Sequence, residues 1–166
     1  MPPPWTKPLE IDRLAGDGAE VDFAIPLTEL SGLRSLPGGI TGEARGRVRF
    51  VREQGVVVAE LALGGIATLE CQRCLKPMQL PLDSLTRVAL VASEAEVDRV
   101  PDELEPELAA GGRISLGQLI TEELLLMLPI VPLHTGSTAC PSAPVAQEPG
   151  SQTHKPLAGL AELLKR

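Results

Sequence analysis

Cys71 and Cys74 stand three positions apart in "LECQRCLKP", and two thiols at that spacing can clamp one metal ion, close a small disulfide ring or simply pack. Tetrahedral zinc asks for four donors, so the pair supplies half a site. The chain offers His134 and Cys140, six positions apart after a long apolar stretch, and a remote His154. Cys71, Cys74, His134 and Cys140 are therefore the candidate metal set, with zinc as the ion. Free or packed thiols and a redox pair stay open beside it. A thioredoxin-like pair sits at a helix N-terminus, where the dipole lowers the thiol pKa; here strand patterns flank both cysteines. Three cysteines in a chain without an export signal point to a reducing, cytoplasmic compartment rather than a disulfide framework.

A second candidate surface is cationic. "ARGRVRFVRE" puts Arg45, Arg47 and Arg49 at every second position and Val48 and Phe50 on the other face, the signature of a half-buried strand. With Arg73 and Lys76 this row is the candidate surface for RNA or a protein partner. Its chemistry is limited, because Trp5, Phe23 and Phe50 are the only aromatic residues, and without stacking platforms it can touch phosphate but not read bases. The net charge of −7 argues against indiscriminate nucleic-acid binding. The charge is uneven, however: residues 34–87 hold eight basic and five acidic side chains, residues 92–125 two and nine. Either half can also be no more than a solvated face. No Ser/His/Asp order, phosphate loop or H-E-x-x-H occurs, so no enzyme and no small-molecule substrate is expected. Glu122 and Glu123 read as dipole partners near a helix N-terminus.

These residues need elements to hold them. Residues 1–10 carry four prolines and Trp5, an extended arm unless Trp5 docks. From Leu9 to Asp22 no period holds, "EVDFAIPL" is a candidate edge strand, and "PGG" at Pro37 to Gly39 is a turn. Glycine turns at Gln54–Gly55 and at Gly64–Gly65 then divide a run of strands, and short links of this kind favour antiparallel neighbours. Residues 93–112 are acidic, with two prolines and no apolar face, and read as an exposed loop. Ser115 and Gln118 have capping-box spacing ahead of a helix whose end, "LLLMLP", is apolar all round, as for a helix deep against a sheet. The expected fold is α+β: an antiparallel meander, open or barrel-like, packed on one long helix. An N-terminal arm and first strand occupy 1–40, the core 41–134, and a flexible tail ending in the short amphipathic "PLAGLAELLKR" occupies 135–166. No run is long enough to span a membrane.

Taken in order, "LECQRCLKP", "ISLGQLITEELLLMLPIVPLH", Cys140 and the closing "KPLAGLAELLKR" resemble the YceD family, the bacterial large ribosomal RNA subunit accumulation proteins, from about Gly42 to Arg166. The resemblance implies a cytoplasmic, non-enzymatic ribosome-biogenesis factor acting in synthesis, processing or stability of large-subunit ribosomal RNA. Its implied partners are ribosomal RNA, a pre-ribosomal particle or a ribosome-assembly protein. Cys71 and Cys74 match the family's C-x-x-C and Leu128 to His134 its L-P-x-x-P-x-H segment. A thiol redox protein and a protein-interaction adaptor are the alternatives.

Overall fold

Period-two alternation runs through the middle of the chain for far longer than an average strand, and the computed structural model, which describes residues 4–135 and Cys140, turns it into three long strands. A 3-10 turn at Pro4–Thr6 precedes β1 (Pro8–Glu10), α1 (Ile11–Gly16) and β2 (Glu20–Pro26); 3-10 turns at Leu27–Glu29 and Ser31–Leu33 follow. Then come β3 (Ile40–Glu53), β4 (Val56–Glu70) and β5 (Pro77–Val91), a 3-10 stretch at Glu94–Arg99, β6 (Glu105–Leu108), β7 (Arg113–Ser115) and α2 (Leu116–Met127). The fold is α+β, mostly antiparallel. Its main sheet has the order β2-β3-β4-β5-β6, and β1 and β7 form a separate ribbon.

Several expectations need correction. The sheet is open, with β2 at one edge and β6 at the other, so there is no barrel. β6 pairs with β5 in parallel, which the connection across residues 92–104 is long enough to allow. The acidic stretch 93–112 is thus no bare loop: Val100 and Leu104 pack on Val51, Val56, Val58 and Ala89, a small second core on the far side of the sheet. Leu9 to Asp22, which shows no period, holds β1 and α1. Gln54 and Gly55, both at positive φ, do make the hairpin turn between β3 and β4. Gly64 and Gly65 make none, for they lie inside β4, paired with Arg45 and Ala44.

The main core lies between the sheet, the 27–33 segment and α2, and is almost wholly aliphatic: Ile25, Leu27, Leu33, Val48, Leu61, Ile120 and Leu124, with Phe50, are fully buried. Ser115 caps α2 by accepting from the Gln118 N–H (3.1 Å), but the Gln118 side chain donates to Glu107 instead of closing the box. Glu123 is not a first-turn dipole partner; it accepts from Ser84 and Thr86 on β5 (2.5 and 2.8 Å) and ties mid-helix to sheet. Trp5 docks, packing beside Gly117, where an added Cβ would come within 3.1 Å of the Trp5 carbonyl oxygen. The far end of α2 is shallower than its composition suggests: Leu125 and Leu126 are exposed, and so are Ile130 and Val131 beyond it. Among the described residues no helix is long and apolar enough to cross a membrane. The amphipathic segment 156–166 and His154 lie outside the described residues.

Candidate metal centre

Between β4 and β5 the chain reverses through residues 71–76. The reversal is closed by two backbone bonds, from the Cys71 N–H to the Lys76 carbonyl (3.0 Å) and from the Leu75 N–H to the Cys71 carbonyl (2.8 Å). Leu75 sits at φ 57, a left-handed conformation that costs a branched side chain roughly 1 kcal/mol and is normally left to glycine. The turn is held from below as well, where the Gln72 N–H donates to the Pro132 carbonyl (2.9 Å). That bond joins the cysteine knuckle to the segment leaving α2, so the prolines that stop the helix also deliver His134 to the sulfurs.

Four side chains separated by up to 69 positions meet here. Cys71 Sγ lies 3.3 Å from Cys140 Sγ, and His134 Nδ1 lies 3.5 Å from both Cys74 Sγ and Cys140 Sγ. All four donor atoms fall within 4.8 Å of one another. Zinc–ligand bonds of the usual length put tetrahedral sulfurs about 3.8 Å apart and sulfur and nitrogen about 3.5 Å apart, so the set fits a Cys3His ion with small adjustments. The imidazole is also oriented for it. Its Nε2 lies 3.2 Å from the Pro77 carbonyl, an acceptor only, which assigns the proton to Nε2 and leaves the Nδ1 lone pair facing the sulfurs.

Cys71 is fully buried and the other three are half-buried. Burial alone would raise the Cys71 thiol, but the backbone N–H groups of His134, Arg73 and Cys74, with the Cys140 thiol, point at its sulfur and bring its pKa down to about 5. Cys140 moves the other way, to about 11, through burial and the neighbouring Cys71 and Cys74. The cluster thus sets a Cys71 sulfur that favours the thiolate against a Cys140 thiol that holds its proton more tightly because of it. A divalent ion removes that conflict.

The arginine row lies elsewhere, on the outer face of the sheet. Arg45, Arg47 and Arg49 are exposed there as the alternation requires, yet each has a carboxylate beside it. Arg45 pairs with Glu43, Arg47 with Asp22 (2.7 Å) and Glu20 (3.4 Å), and Arg49 with Glu20 (3.7 Å) and Glu60 (3.6 Å). Arg87 on β5 extends the lattice through Glu53 (2.6 Å) and Glu60 (3.5 Å). Four arginines meet five carboxylates, so the row is a lattice across four strands in which the acids outnumber the cations by one. Arg73 and Lys76, on the knuckle, make no ion pair among the described residues. The acidic partners on β2 went unread in the sequence, although Glu20 and Asp22 alternate as the arginines do.

The lattice has a titration consequence. The hydrogen bond and charge of Arg47 hold the Asp22 carboxyl below its ordinary 3.8. A depressed acid stabilises the fold above its unfolded pKa and loses that contribution as pH falls through the folded value. NMR titration should place Asp22 below 3.8 in the native protein and back near it in Arg47→Gln.

The family model for "Large ribosomal RNA subunit accumulation protein YceD" matches residues 59–164 of the chain. The Haemophilus influenzae protein of that name is 29% identical over 132 residues, which cover 77% of this chain and 76% of that protein. No solved structure matches the chain.

Proposed function

The chain belongs to the YceD family, and from that premise we propose that it is a cytoplasmic, non-enzymatic factor supporting synthesis, processing or stability of large-subunit ribosomal RNA. The observation that carries this reading is the match over residues 59–164, which takes in both halves of the Cys3His cluster and the helix between them. The name of the Haemophilus influenzae relative supplies the RNA; the geometry bears on how a small protein presents a surface to it.

In this reading zinc is structural. Cys71, Cys74, His134 and Cys140 hold it, and it supplies a cross-link between the β4–β5 knuckle and the segment leaving α2. All four positions are filled by protein donors, so no coordination place is left for substrate, the arrangement of structural rather than catalytic zinc. The thiol redox reading gains less support. The 71–74 pair lies in a turn between strands and not at a helix N-terminus, and the shortest sulfur contact is between Cys71 and Cys140.

Deleting the gene and measuring precursor and mature large-subunit ribosomal RNA tests the function. The expected result is a fall in the ratio of large to small subunits, restored by the wild-type gene. An unchanged ratio in cold and in normal growth would count against the reading.

A further inference from the structure

We infer that the contact with RNA is made by the tip of the cysteine knuckle, through Arg73 and Lys76 on the phosphate backbone, and not by the arginine row that the sequence advertises. The inference rests on the RNA reading above and assigns it a surface.

Phosphate is bound by cations that have charge to spare. In the lattice on the outer face every arginine already answers a carboxylate, and freeing one for phosphate leaves an acidic side chain beside the incoming anion. The knuckle is the opposite case. Arg73 and Lys76 are both exposed. From Leu61 to Leu82 the only carboxylate is Glu70, and among the described residues the segments beside the knuckle, 36–41 and 128–135, contain none. Glu70 itself is half-buried, its side chain lying against Gly38. A loaded Cys3His site carries one net negative charge. Its most buried sulfur is covered by the N–H groups of Arg73, Cys74 and His134, whereas the Arg73 and Lys76 side chains reach outward, so an approaching phosphate meets the cations first. In a protein of net charge −7 this end offers a polyanion its least hostile approach. The knuckle is also anchored by the Gln72 to Pro132 bond and by His134 on the Pro77 carbonyl, which keeps the ordering cost of contact low. With no aromatic side chain at the tip the contact grips backbone without reading sequence.

The test compares two charge-matched double variants of the full chain purified with zinc: Arg73→Gln with Lys76→Gln, and Arg45→Gln with Arg47→Gln. Each loses two positive charges. Zinc content and far-UV circular dichroism first confirm that both are folded, and affinity for in vitro-transcribed large-subunit ribosomal RNA is then measured across a salt series. The knuckle pair should lose about tenfold in affinity and reduce the salt slope by about two, the count of phosphate contacts removed, while the row pair changes neither. If the row pair loses as much as the knuckle pair or more, the assignment of the surface is overturned and RNA binding stands. If the wild-type protein does not bind this RNA at any salt, the RNA reading itself fails, and the target is a protein.

Discussion

Cys74→Ser should strip the metal from the protein and destabilise it by on the order of 4 kcal/mol, because the binding free energy of a structural ion is part of the folding free energy. The substitution is nearly isosteric and Cys74 is only half-buried. Without an ion, therefore, the same change should cost about 1 kcal/mol, as an ordinary point substitution does. The two outcomes are far enough apart for urea denaturation to separate them. A chelator supplies the companion measurement, since it should lower the wild-type midpoint toward that of Cys74→Ser and leave the variant unmoved. What is lost in both cases is the clasp between residues 71–76 and 132–134, so amide exchange should quicken first at Gln72 and His134.

Gly65→Ala should be nearly as damaging, by roughly 2 to 4 kcal/mol, though no ligand is involved. Gly65 has φ +148, and a Cβ there would lie 2.2 Å from the backbone oxygen of Glu43; at Gly42, with φ +118, the Cβ would lie 2.1 Å from the backbone oxygen of Ile66. Glu43 and Ile66 face one another across β3 and β4, so the two glycines flank a single point where the long hairpin brings its backbones too close for any side chain. Backbone cannot swing aside as the end of a lysine can. Gly39→Ala is the control, for its Cβ meets nothing within 4 Å and only the cost of φ +73 remains, about 1 kcal/mol. Equal midpoints for the two variants would show that the close approach at Gly65 is relieved without strain.

Those glycines show where the sequence is hard to read. A Gly-Gly pair between apolar runs has the same appearance whether it ends a strand or lets two strands approach, and only the pairing of Gly64 with Arg45 and of Gly65 with Ala44 distinguishes them. The alternation at Arg45, Arg47 and Arg49 was legible because period two needs no knowledge of the partner strand. That the same arginines are neutralised was not, since Glu20 and Asp22 lie 25 to 27 positions away from Arg47 and a charge acquires a partner only once register is fixed. β6 is a stronger case: "EPEL" has no strand propensity and is held by parallel pairing to β5 and by the Ala109 N–H on the Val91 carbonyl. The end of α2 misleads in the other direction, because Leu126 is 76% exposed although its apolar neighbours suggest a buried helix. Composition gives hydrophobicity but not which side of an element meets the sheet.

The candidate site was legible at the level of residue type. C-x-x-C, a histidine and a further cysteine name the donors, and the fold adds what side-chain spelling cannot carry. The acceptor for His134 Nε2, the three N–H groups on the Cys71 sulfur and the strap from Gln72 to Pro132 are all backbone groups. Any residue other than proline could have supplied the N–H groups, and any residue the carbonyls, so only the path of the chain reveals them.

Native mass spectrometry of the purified protein, with His134→Ala and Cys140→Ser alongside, tests most directly whether the two halves of the cluster hold one ion. The expected result is one zinc per wild-type chain and substantial loss of it from each variant, although neither change touches the C-x-x-C pair. A metal-free wild-type protein, or variants that keep zinc at full stoichiometry, would contradict a Cys3His centre joining the knuckle to the helix.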